Sequence, residues 1–154
     1  MTPRPRLHLD DRGVSRTLLE LWIPAIDPDV IWIVGGDLPG DELRRGTVPF
    51  IGLSAVDAAA VAAEPGATDL RVLAVFCSIH ALKEAAAMGL SPDKVTVSSL
   101  GDQERERRVA ATLHLNADEL TLARTLEERG WTFAIQSLPN VTPRCWRPSE
   151  ESGV

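Results

Sequence analysis

Cysteine is scarce in this chain: Cys77 and Cys145 are the only two in 154 residues. Two thiols build neither a disulfide framework nor a zinc cluster, so a reducing cytosol is the default setting. Long apolar runs are missing as well. The longest, "VLAVFC" from Val72 to Cys77, is far too short to cross a bilayer. The opening "MTPRPRLHLDDR" has no apolar stretch of signal-peptide length. The expected location is therefore cytoplasmic, without direct membrane insertion. Positive charge is in deficit, with 16 basic residues against 22 acidic ones and a net charge of −6. That balance argues against broad binding along a phosphate backbone, and no nucleic-acid partner is expected. A small anion site stays compatible with it, because one helix N-terminus and one arginine can make such a site locally. Internal repeats and low-complexity blocks are absent. Nothing in these residues calls for a metal ion or a cofactor.

What is present is a core. At 44% hydrophobic and 25% charged residues, the chain suits one compact domain over residues 1–154, with an irregular tail from about residue 139. Short runs rich in Val, Ile and Phe read as strands near Arg6–Leu9, Val30–Val34, Val48–Leu53, Leu70–Phe76, Val95–Val97, Val109–Leu115 and Thr132–Ile135. Helical spacing falls between most of them. "SRTLLELWIPAI" starts on a capping serine and meets Pro24, and "SAVDAAAVAAEPG" stops at Pro65-Gly66. "SIHALKEAAAMG" ends at Gly89, while "NADELTLARTLEERG" opens with Asn116 and Glu119 in capping-box spacing and closes at Gly130. Strand and helix alternating at this distance predict an α/β fold: a doubly wound, mainly parallel sheet of six or seven strands covered by helices on both faces.

In such sheets, ligands lie beyond the carboxyl ends of the strands. The candidate site then comprises Asp10, Asp11, Arg12 and Ser15 after the first strand, and Gly35, Gly36 and Asp37 after the second. Cys77, Ser78 and His80 follow the fourth, and Ser98 and Ser99 follow the fifth. These segments should meet at one edge of the sheet.

"LHLDDR" with its following tryptophan, "IVGGDLPGDELRR", "KVTVSSL" and "LEERGWTFAIQSLP" stand in a recognisable order. From about Leu7 to Pro139 the sequence resembles the mannose/fructose/sorbose-type IIB subunits of the bacterial phosphoenolpyruvate-dependent sugar phosphotransferase system. That family's first motif reads Arg-Ile-Asp-Asp-Arg-Leu-Ile-His-Gly-Gln-Val. Asp10, Asp11 and Arg12 match it, and Trp22 keeps its distance from them. The resemblance implies a doubly wound sheet whose last strand is antiparallel. It implies phosphoryl relay as well: a IIA-type phosphocarrier donates to a IIB histidine, which passes the group to a sugar held by membrane IIC and IID subunits.

The departures bear on chemistry. Laid on without gaps, the family's phosphohistidine falls on Ser15, and the family's next two residues become Arg16 and Thr17. Its Asn-Asp-Glu after the second strand is Gly35-Gly36-Asp37 here, and its Asn-Val-Gly-Gly is Thr96-Val97-Ser98-Ser99. The stretch from Leu43 to Val48 reads as shortened. Imidazole nitrogen gives a labile phosphoramidate from which transfer to a sugar hydroxyl is downhill. A serine phosphomonoester holds its group about as firmly as the sugar phosphate it would make, and its bond is among the slowest to break unaided. Serine also needs a base to take its proton. Ser15 then reads as a helix N-cap before "RTLLELW".

The remaining candidates divide by role. By position, Ser15, Arg12 and Asp11 would be catalytic. Arg12, Ser15, Ser98 and Ser99 could hold a phosphate, unless Arg12 is taken by Asp10 or Asp37. Cys77, just before a helix N-terminus, and His80, in that helix's first turn, are candidates for a relocated acceptor, weighed against an inert strand-end cysteine and a surface histidine. His8 reads as packing and His114 as structural. Arg105, Arg107 and Arg108, interleaved with Glu104 and Glu106, read as a solvated turn. The functions that follow are a degenerate or regulatory IIB-like protein partnered by IIA and by IIC/IID, a phosphotransferase with a moved acceptor, or a small-anion or nucleotide binding module on a reused fold.

Overall fold

The computed structural model describes residues 4–38, 48–63, 70–100, 107–110 and 113–151. Seven strands form one sheet: β1 (Arg6–Asp10), β2 (Val30–Val34), β3 (Phe50–Leu53), β4 (Val72–Phe76), β5 (Lys94–Ser99), β8 (Thr132–Ile135) and β9 (Arg144–Trp146), in the order β3-β2-β4-β1-β5-β8-β9. Six run parallel, and β9 lies antiparallel to β8 with Ala134 opposite Cys145. β2 and β4 are buried at every position, as unbroken apolar runs must be when both faces of a parallel sheet are covered.

The two covers differ in weight. On one face, α2 (Ala55–Ala63), α3 (Ile79–Ala87) and α4 (Ala117–Glu128) pack onto Leu7, Leu9, Trp32, Phe76, Val97 and Phe133. On the other, Leu18 and Trp22 of the first helical segment pack onto Ile31, Ile33, Leu73 and Val75. The caps expected from the sequence are made. Ser78 Oγ accepts the Ala81 N–H at 3.0 Å. Asn116 Oδ1 accepts the Glu119 N–H at 2.8 Å, and Glu119 Oε1 accepts the Asn116 N–H at 3.2 Å.

The first helical segment runs through Pro24 rather than stopping there. Leu18–Trp22 form a wide π turn, in which the Ile23 N–H reaches back to Leu18 O, and α1 (Ile23–Ile26) follows with Pro24 in its first turn. The wider turn removes the carbonyl clash that a proline imposes on a regular helix. Asp27, at a φ of 53°, ends it in the left-handed region.

Four expectations are corrected. Val109–Leu115 is not one strand: β6 (Arg107–Ala110) and β7 (Leu113–Leu115) pair antiparallel in a separate two-stranded sheet, His114 opposite Arg108. Alternation carried across a two-residue connection reads the same as one continuous strand. Arg107 and Arg108 thus lie on a strand rather than in a turn, while residues 101–106 are outside the described residues. The tail is not irregular throughout, because β9 extends the sheet and buries Trp146 against Phe133, ring centroids 5.4 Å apart. Strand starts also shift. β3 begins after Pro49, which has no N–H for a ladder, and β4 begins after Arg71, whose N–H goes to Asp29 Oδ2 at 2.8 Å. The shortened stretch from Leu43 falls mostly among residues that are not described.

Candidate functional site

Parallel β2, β4, β1 and β5 lie side by side, so their carboxyl ends bring the loops after them to one edge of the sheet. There a cleft of about 410 Å³ is lined by Asp11, Arg12, Gly13, Val14, Gly35, Gly36, Asp37, Leu38 and Cys77. Three of the four expected loops therefore line the cleft. The fourth, after β5, reaches it only indirectly: Ser99 Oγ donates to Asp11 Oδ1 at 3.3 Å, and the Asp11 N–H donates to Ser99 O at 3.0 Å.

The loop after β1 is shaped by Asp10. Its Oδ1 accepts the Arg12 N–H at 3.0 Å and its backbone carbonyl accepts the Gly13 N–H at 3.1 Å, which closes a tight turn. Gly13 takes a φ of 61° there, with Cys77 Sγ 3.5 Å from where a Cβ would be. The same carboxylate holds the arginine side chain. Arg12 Nε donates to Asp10 Oδ1 and Nη2 to Oδ2, each at 3.1 Å. Asp10 is 3% exposed, so this is a buried carboxylate capped by a half-exposed guanidinium. The hydrogen bond to Asp10 raises the Arg12 pKa above its ordinary value, against desolvation and with help from the charges of Asp10 and Asp11. Of the two partners weighed for Arg12, the structure selects Asp10.

Ser15 stands as a cap. Its Oγ accepts the Leu18 N–H at 3.2 Å and its carbonyl accepts the Leu19 N–H at 3.0 Å. Ser15 is not among the cleft-lining residues. Ser98 is 1% exposed, and its hydroxyl finds no partner at the irregularity where the β1–β5 register shifts. The four groups expected to gather around a phosphate are thus turned to other tasks: Arg12 to Asp10, Ser15 to a helix start, Ser99 to Asp11, and Ser98 to the interior.

Cys77 does line the cleft. Burial, then the charges of Asp10, Asp37 and Asp11, push its thiol up to about 11, so the thiolate is scarce at neutral pH. Its sulfur also explains Gly36, where any Cβ would collide with Cys77 Sγ. His80 is exposed on α3, outside the cleft lining. Gly13, Val14 and Leu38 are the lining residues that sequence reasoning passed over, because an apolar loop residue carries no chemical signature. No cluster of three or more His, Cys, Asp or Glu able to hold a metal ion occurs among the described residues.

This mainly parallel sheet, ended by one antiparallel strand, is the fold shared with solved phosphotransferase-system IIB domains. No family model matches the chain. The fructose-specific EIIB component of the phosphotransferase system from Bacillus subtilis (strain 168) is 21% identical over 141 residues, 86% of each chain. The IIB domain of the sorbose permease from Klebsiella pneumoniae superposes with a TM-score of 0.74 at 18% identity, covering 93% of this chain and 92% of that one. The N-acetylgalactosamine-specific IIB component 1 from Escherichia coli gives a TM-score of 0.78 at 13% identity, covering 94% and 100%. At identities this low the likeness establishes the fold and leaves the chemistry to the cleft's own residues.

Proposed function

We propose that the chain is a IIB-like protein of a sugar phosphotransferase system, cytoplasmic, that docks a IIA-type phosphocarrier and serves sugar uptake through IIC/IID permease subunits without carrying the phosphoryl group on Ser15. The observation that carries this reading is the state of the loop after β1. Its residues match the Asp-Asp-Arg of the resembled family's motif, yet Ser15 Oγ accepts the Leu18 N–H and Arg12 pairs with Asp10. A hydroxyl used as a cap acceptor, with no base within the cap, is not an activated nucleophile. The protein then acts as a degenerate or regulatory member of the relay, with Asp11 and Arg12 kept as features of the docking edge.

The test is incubation with the general phosphotransfer proteins, IIA carriers and labelled phosphoenolpyruvate. Carrier binding in a pull-down with no protein-bound label is the expected result. Acid-labile label on nitrogen would make His80 a moved acceptor, and label on sulfur would do the same for Cys77. Either one overturns the proposal in favour of an active phosphotransferase. Neither label nor carrier binding would leave a small-anion or nucleotide binding module as the surviving reading.

A further inference from the structure

We propose that Asp10 determines which ligands the cleft admits: by occupying the Nε–Nη2 edge of Arg12, it closes that arginine fork to phosphoryl oxyanions. The inference rests on the IIB-like reading of the cleft, and concerns how that site is regulated rather than whether a carrier docks.

Arg12 is the one cation among the described residues that line the cleft, so an incoming phosphate has to use it. The guanidinium edge best suited to a bidentate oxyanion already holds a carboxylate, through two bonds of 3.1 Å. Arg12 cannot be lent out cheaply. Asp10 is almost fully buried, and withdrawing its partner leaves a buried carboxylate uncompensated, which is far costlier than losing a surface pair. The outer edge of the guanidinium still faces solvent, but it does so as one end of an ion pair. Asp37 stands across the same cleft and adds to the opposition. The Cys77 thiol, pushed up first by burial, is pushed further by the charges of Asp10, Asp37 and Asp11, which have the same sign inside the cleft. Asp10 therefore does two jobs with one side chain. It builds the turn through the Arg12 N–H, and it fills the fork through Nε and Nη2.

Those two jobs separate in Asp10→Asn. The amide oxygen keeps an acceptor for the Arg12 N–H, so the turn survives, while the charge and the second acceptor are lost. The measurement is a titration of the full chain with inorganic phosphate at constant ionic strength, followed by amide NMR. The unmodified protein should show no saturating shifts below on the order of 10 mM. Asp10→Asn should bind phosphate at least about 10-fold more tightly, with shifts at Arg12 to Val14, and Arg12→Ala in that background should erase the gain. Asp37→Asn removes an equal charge without touching the fork, and should improve binding by no more than about 3-fold because exposed charges are screened.

The proposal is overturned if Asp10→Asn binds no better than the unmodified chain, if Asp37→Asn matches it, or if the gain persists without Arg12. Should Asp10→Asn fail to fold, Asp10→Ser keeps a turn acceptor and carries the same outcomes. Carrier pull-down is read independently. Docking without a phosphate gain sinks the role of Asp10 alone, and a phosphate gain without docking sinks the IIB-like reading alone.

Discussion

His8 shows how one residue's surroundings become a measurable property. It lies on β1, facing away from Leu7 and Leu9, and meets Trp22 edge to face with centroids 4.6 Å apart and planes at 85°. It is 1% exposed and its Nε2 has no hydrogen-bond partner. Burial, helped by the charge of Arg6, lowers its pKa from 6.5 to about 3, so the folded protein holds it neutral. The folded value lies below the unfolded one. Under the unfolded value the unfolded chain therefore takes up a proton that the folded chain refuses. Stability from this group is lost as pH falls from 6.5 toward 3, at about 1.4 kcal/mol per pH unit. Urea unfolding at pH 7 and pH 5 should show a drop of about 2 kcal/mol that is absent in His8→Phe. Equal drops in the two proteins would mean that His8 is protonated in the fold.

At the scale of elements, β9 and its neighbours are where the chain's end is secured. Trp146 is 4% exposed against Phe133, and its Nε1 donates to Glu151 Oε1 at 3.3 Å. Arg124 on α4 donates through Nε to Pro148 O at 3.2 Å and through Nη2 to Glu151 O, while Glu127 Oε1 accepts the Ser149 N–H at 2.9 Å. Helix α4 thereby holds the short 3-10 turn Pro148–Glu150 that follows β9. Trp146→Ala should cost about 3 kcal/mol or more of unfolding free energy by leaving a cavity at the sheet edge. Hydrogen exchange at Phe133 to Ile135 should quicken with it, whereas β2 and β4 should stay protected as the last parts to open. Unchanged exchange along β8 would show that β9 contributes little to the sheet.

For the whole molecule, the question is whether the scaffold can still accept the chemistry of the family it resembles. The loop after β1 leads into the π turn in the expected place, beside the loops after β2 and β4. Ser15→His places an imidazole where the resemblance puts the phosphohistidine, and removes a cap worth about 1 kcal/mol. Incubated with phosphorylated carrier, the variant should gain acid-labile label that the unmodified chain lacks, alongside a small fall in stability. A variant that folds, docks the carrier and stays unlabelled would show that Arg16 and Thr17 have reshaped the loop beyond the reach of one substitution.

Much of this was legible in the sequence, because it is written in local physics. The apolar runs of β2 and β4 have the length and composition of doubly covered strands. Ser78, and Asn116 with Glu119, supply caps whose donors and acceptors lie within three residues of one another, so the order of elements and the location of the cleft followed. Tertiary structure decided what depends on contacts distant in sequence. β9 exists because β8 offers an edge to pair with, and its three residues carry too little pattern to announce themselves. Val109–Leu115 folds back as a hairpin rather than running on, since alternation is blind to a reversal of direction. The requirement for glycine at Gly36 beside the Cys77 sulfur and the suppressed acidity of that thiol came from distances no spacing encodes, whereas Arg12 took the partner two residues away, Asp10. Residue types determined which groups could stand in the cleft, and packing determined which of them were left free to act.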